Sequence, residues 1–148
     1  MKKSERLKVV LQIAERNESE VLVKMQDIKK QLQIEVQRQQ EFESYRAEYQ
    51  RQLADAASTR ISTSQYVNYQ RFIAQLGQVI EQQQKKIQMV RQHLEKATAT
   101  WRLAHEKTKG MADLIHTCRE SETREADARE QRMLDEVSQI RNAFKQND

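Results

Sequence analysis

Proline is absent from this chain of 148 residues, and glycine occurs only twice, at Gly77 and Gly110. Those two residue types are the ones that most readily interrupt a helix, so little in the sequence stops a helix once it has begun. Cysteine occurs once, as Cys118, which excludes an internal disulfide and fits a reducing compartment. Aromatic residues make up 5% and hydrophobic residues 37%. That is too little apolar material for a compact core, and it suits long helices that bury one narrow stripe. No apolar run approaches the roughly 20 residues of a membrane span. Met1-Lys2-Lys3-Ser4 has the charges of a signal peptide without the apolar segment that should follow, so a cytoplasmic protein is expected. An excess of one charge sign is missing too. The net charge of +4 comes from 26 basic and 22 acidic residues interspersed along the chain. A nucleic-acid surface gathers Lys and Arg on one face beside stacking aromatics, so nucleic acid is not expected as a partner.

Catalytic groupings are lacking as well. His93, His105 and His116 are too widely spaced for a metal-binding pair on one helix turn, and each reads as a solvated helix residue. No glycine loop can cradle a phosphate, and no Ser–His–Asp set can be assembled in a pocket. No catalytic residue, metal, cofactor or small-molecule substrate is expected.

What is present is a heptad repeat. Leu7, Ala14, Val21, Ile28, Phe42 and Tyr49 recur every seven residues as a d row, interrupted by Glu35. Leu11, Met25, Leu32 and Leu53 belong to the matching a row, which Glu18, Gln39 and Arg46 break. Further along, Ile73, Ile80, Ile87, Leu94, Trp101, Thr108 and Ile115 form an a row. Tyr69, Leu76, Gln83, Val90, Ala97, Ala104 and Met111 form its d row, which Cys118 continues. Such a repeat held for several heptads marks a coiled coil. Between the two runs lies Ala-Asp-Ala-Ala-Ser-Thr-Arg-Ile-Ser-Thr-Ser, with no seam residue. Ser62 and Gln65 stand at capping-box spacing, flanked by Ile61 and Tyr66 at staple positions. The expected fold is all-α. One antiparallel coiled-coil hairpin spans 1–148, with helix 1 at about 5–56, a turn at about 57–62 and helix 2 at about 63–145.

Setting Leu53 opposite Tyr69 pairs every a with a d: Tyr49 meets Ile73, Ile28 meets Leu94, Val21 meets Trp101 and Leu7 meets Ile115. Gln39 falls opposite Gln83 as a polar layer that fixes register. Helix 1 then ends opposite Ile115. Beyond it the chain is charged until Met133, Val137, Ile140 and Phe144, an apolar stripe with no intramolecular cover. One reading is a docking site for another protein; the other is a frayed end with chance spacing. Nearer the turn, Tyr45, Phe72 and Val79 stand at g positions, with Arg38 one heptad earlier. The two g rows of an antiparallel pair share a side, so an aromatic strip flanks the seam there. It reads as a binding surface or as a broadening of the core.

The stretch Glu43 to Gln82 resembles the flagellar export protein FliJ family. The matching features are the Tyr45/Tyr49 pair, Ile61, the string Val67-Asn68-Tyr69-Gln70-Arg71-Phe72-Ile73, and Leu76. Trp101-Arg102 and Gln131, Asp135, Glu136 and Gln139 extend the likeness. The resemblance implies a cytoplasmic, non-enzymatic component of the flagellar type III export apparatus, peripherally associated with the inner membrane. It implies a stalk-like coiled coil whose termini end binds the export ATPase FliI hexamer and promotes its assembly. It also implies contact with the export gate protein FlhA and escort of export chaperones. The gate-contacting band falls on Arg38, Phe42, Tyr45, Tyr49, Phe72, Leu76, Val79 and Gln83, where Arg38 and Gln83 depart from the family's chemistry. The ATPase site is placed on Met133, Val137, Ile140 and Phe144. A monomer is expected. The alternatives are a purely structural coiled-coil spacer or dimerisation protein, and the equivalent stalk of a virulence type III secretion system.

Overall fold

The structure, a computed structural model, describes residues 1–147. It is built from two helices, α1 (Lys3–Ser58) and α2 (Thr63–Gln146), with no strand among the described residues. The fold is the all-α helical hairpin expected. Asp148, the last residue of the expected domain, lies outside the described residues. The chain divides into two compact units. One contains Met1–Ser19 and the chain from Leu103 onward, and the other contains Glu20–Arg102.

Unit 2, Glu20–Arg102, contains the turn. Helix α1 ends without glycine: the Asp55 carbonyl accepts the Thr59 amide at 3.2 Å and also the hydroxyls of Ser58 and Thr59, at 2.7 and 3.1 Å. Helix α2 begins with a capping box. The Gln65 amide donates to Ser62 Oγ at 3.2 Å, and the Ser62 amide donates to Gln65 Oε1 at 3.4 Å. Ile61 and Tyr66 line one hollow beside that cap. The seam follows the heptads. Ile80, Ile87 and Val90 are buried, and Leu32, Phe42, Tyr49, Leu76 and Leu94 are half-buried. Trp101 and Val21 are both half-buried.

The polar interruptions stay in the seam. Glu35 is 3% exposed and Gln83 8% exposed. The expected Gln39–Gln83 layer is not formed. Gln83 Nε2 instead donates to Glu35 Oε2 at 2.6 Å and to the Glu35 carbonyl at 2.9 Å, while Gln39 donates along its own helix to Glu43 at 3.2 Å. The physical reason is charge assistance: an ionised carboxylate is a stronger acceptor for a buried amide than a second neutral amide is.

In unit 1, Leu7, Leu11, Ala14 and Glu18 of α1 occupy the seam with Ala104, Thr108, Met111 and Ile115 of α2, each buried or half-buried. Pairing runs past the expected end opposite Ile115. Cys118 and Glu122 are half-buried, and Ser4 is 4% exposed. The Ser4 amide donates to Glu122 Oε1 at 3.1 Å, and Ser4 Oγ donates to Glu122 Oε2 at 2.7 Å. A carboxylate from α2 thus caps the N-terminus of α1, where free amides and the helix dipole favour negative charge. The Ser4 hydroxyl and amide hold the Glu122 carboxyl below its ordinary pKa. The overhang therefore starts after Glu122, and it is helical to Gln146 with every described residue exposed.

Candidate functional site

Two of the exposed apolar surfaces carry the expected sites. The first is in unit 2, on the g side of the seam. Tyr45, Phe72 and Val79 are 51%, 40% and 39% exposed. Phe72 is nevertheless held by a ring beside it. The Tyr49 ring, itself half-buried, lies 4.5 Å from Phe72 between centroids at a 59° tilt, and 6.4 Å from Tyr69 at 53°. Tilted pairs at these distances suit the aromatic quadrupole and fix ring orientation. Tyr49, Tyr69 and Phe72 also line a groove of about 490 Å³ that continues toward the turn through Ala56, Ile61, Gln65 and Asn68.

The eight residues of the expected gate band therefore divide. Arg38, Tyr45, Phe72 and Val79 present their side chains to solvent, whereas Phe42, Tyr49 and Leu76 are half-buried in the seam. Gln83 is buried, with its amide committed to Glu35. Arg38 is joined to the same carboxylate, with Nη1 3.1 Å from Glu35 Oε1. Lys86 Nζ reaches that oxygen from α2 at 3.3 Å. Arg38 and Lys86 are both g residues, so their meeting at one atom shows that the two g rows share a side. The Gln83 amide is the main cause that holds the Glu35 carboxyl below its ordinary range. Burial opposes it, and Lys86 and Arg38 add to it.

The second surface is on the overhang. Met133, Val137, Ile140 and Phe144 are exposed on a continuous helix. Leu134 is exposed beside them, one position outside the strict heptad spacing and for that reason missed in the sequence. Sequence spacing also missed Ile34 and Met89, both exposed c-position residues in unit 2.

His93, His105 and His116 are all exposed on α2, as expected of solvated helix residues, and two of them pair with carboxylates. His105 Nδ1 lies 2.6 Å from Glu18 Oε1 across the seam, and a carboxylate can only accept, so Nδ1 carries the proton. That bond holds the Glu18 carboxyl below its ordinary pKa, with Thr108 contributing. His116 Nε2 pairs with Glu120 one turn on, at 3.1 Å. Among the described residues no group of three His, Cys, Asp or Glu side chains could hold a metal. No helix among them is long and apolar enough to cross a membrane.

These features define a helical-hairpin protein with exposed apolar strips on its surface. A family model described as flagellar FliJ protein matches residues 2–147, and the chain belongs to that family. Membership makes it a component of the flagellar export apparatus, in a family of non-enzymatic export components. No curated protein and no solved structure matches the chain.

Proposed function

We propose that the chain is an adaptor of the flagellar export apparatus that joins the export ATPase to the export gate. The g-side strip of unit 2 docks on the gate protein FlhA, with Phe72 and Tyr45 as its anchors. The overhang stripe through Met133, Val137, Ile140 and Phe144 binds the FliI hexamer and promotes its assembly. Escort of export chaperones and peripheral association with the inner membrane belong to the same reading.

The observation that carries the proposal is the strip itself. Phe72, exposed yet pre-oriented by the Tyr49 ring beside it, with Tyr45 exposed on the same side, has the character of an interface hot spot. Preorganised rings lose little freedom on binding. The seam is already filled within one chain, which favours a monomer over a dimerising spacer.

The test is binding of the purified FlhA cytoplasmic domain to the full chain. Tyr45→Ala with Phe72→Ala should weaken binding at least about thirtyfold, as loss of a hot spot of about 2 kcal/mol does. Wild-type affinity in that variant, with helicity intact by circular dichroism, refutes the gate assignment. Sedimentation of the free chain as an obligate dimer would favour the spacer instead.

A further inference from the structure

The g-side face does not end at Val79. Going away from the turn, it meets the cation pair Arg38 and Lys86, and beyond them the exposed apolar side chains of Ile34 and Met89, at 53% and 56% exposure. From Phe72 to Met89 the face runs about 25 Å at 1.5 Å per residue.

The cation pair is a built feature. Both head groups converge on Glu35 Oε1, at 3.1 and 3.3 Å, while their side chains remain about half exposed. The carboxylate beneath them is buried and is gripped from the other side by Gln83. Two cations share one anion, so positive charge is left over at the surface, pointing outward between two apolar segments. Lys30 and Glu41, of opposite charge, line the hollow beside Ile34 and Arg38 and add no net charge to it. Guanidinium and ammonium groups held this way have free donors suited to a second carboxylate.

We propose that Arg38 and Lys86 form an anion clamp at the middle of this face. Its occupant is a segment of the partner that carries a carboxylate between apolar side chains, the latter packing on Val79 and Tyr45 to one side and on Ile34 and Met89 to the other. The assignment of the partner rests on the gate reading of the strip. The clamp would make gate binding strongest at low salt, because an exposed charge contact is screened, and would set the register of the docked segment.

The experiment measures FlhA cytoplasmic-domain binding to the full chain at low and high salt. It compares wild type, Arg38→Gln with Lys86→Gln, Ile34→Ala with Met89→Ala, and Phe72→Ala. Glutamine keeps the helix and a shorter polar side chain while removing the charge. The expected result is at least a tenfold loss at low salt in the double glutamine variant, a flattened salt dependence, and weaker binding when Ile34 and Met89 are truncated. Unchanged affinity and salt dependence in the glutamine variant, with Phe72→Ala still impaired, overturns the clamp and leaves the gate strip standing. Unchanged binding in Phe72→Ala, with affinity lost in the glutamine variant, overturns the strip and keeps an anion site. Wild-type chain that sediments as a dimer, and becomes monomeric on the glutamine substitutions, makes a second copy the occupant and overturns the proposal as stated.

Discussion

Replacing the buried pair Glu35 and Gln83 by leucine, one at a time and together, tests the energetic logic of the seam. Gln83 Nε2 donates to the Glu35 carboxylate at 2.6 Å and to the Glu35 carbonyl at 2.9 Å, in a site where both residues are over 90% covered. Gln83→Leu removes a hydrogen bond to a charged group, worth about 1.5–3 kcal/mol, and sets an apolar side chain against the carboxylate. Glu35→Leu takes the carboxylate acceptor from the Gln83 amide and leaves it only the backbone carbonyl of residue 35, at a cost of about 1–3 kcal/mol, and releases Arg38 and Lys86 from their anchor. The double variant strands nothing. It extends the apolar layers of Ile80, Ile87 and Val90, and replacement of a buried polar or ionic pair by apolar residues of similar volume commonly stabilises by about 1–4 kcal/mol. Each single variant should therefore be less stable than wild type and the double variant more stable.

The assay is thermal and urea unfolding followed by far-UV circular dichroism. For a chain of this size 1 kcal/mol shifts the midpoint by about 2–4 °C. Independent sites add to within about 0.5 kcal/mol. If the two single effects sum to the double effect within that margin, Glu35 and Gln83 do not share one network and the seam as described is wrong.

Three further outcomes follow from other parts of the molecule. Acid should weaken the hairpin through Glu35, Glu18 and Glu122, whose carboxyls are all held below their ordinary pKa. A depressed pKa contributes stability above the unfolded-state value, about 4.3, that is lost as pH falls toward the folded-state value. The stability gap between wild type and Ser4→Ala, which deletes one Glu122 partner, should be present at neutral pH and vanish in acid; a constant gap would contradict the capping bond. Gly77→Ala and Gly110→Ala should each stabilise by up to about 1 kcal/mol, since both are helical and an added Cβ meets nothing within 4 Å; a fall in melting temperature would reveal an unseen constraint. Met133→Ser with Val137→Ser, Ile140→Ser and Phe144→Ser should leave the melting temperature within about 1–2 °C of wild type, because the stripe covers no core, while lowering stimulation of the export ATPase. Full stimulation would remove the stripe from the ATPase site.

Much of the helix pair was legible because a coiled coil writes its geometry into a period. Every residue assigned to an a or d row, including the polar breakers Glu18, Gln39 and Arg46, is buried or half-buried. The start of α2 was legible from Ser62 and Gln65, whose capping depends on identity and spacing alone. Partner choice across the seam was not. Gln83 can reach more than one residue of the opposing helix, and a row assignment says nothing about which acceptor is the stronger. The extension of pairing to Glu122 was missed for a related reason. Counting apolar layers ends helix 1 at Leu7, whereas Ser4 continues the contact through hydrogen bonds. On the surface, Tyr45, Phe72 and Val79 stood out because they occupy g positions that should be polar. Ile34 and Met89 gave no such signal, since an isolated apolar residue at an outer heptad position is ordinary.

The division between seam and strip depends on those polar layers. Two helices of this length with an all-apolar seam could slide by a heptad, or pair between chains, at small cost. Either change would give the exposed rings of Tyr45 and Phe72 new neighbours. Glu35 with Gln83, Glu18 with His105 and Ser4 with Glu122 each pair only when the helices are antiparallel and in one register. A one-heptad slip in unit 2 would leave a buried carboxylate and a buried amide unpartnered, several kcal/mol worse than the native pairing. The double leucine variant that gains stability should for the same reason lose discrimination. In sedimentation it should show intermolecular species that the wild-type chain does not. More stability together with less uniqueness is the signature that separates a register lock from a merely tolerated polar pair. If the double variant stays a single species, the pair is tolerated, and what keeps the aromatic strip on the surface must lie in the capping box and turn.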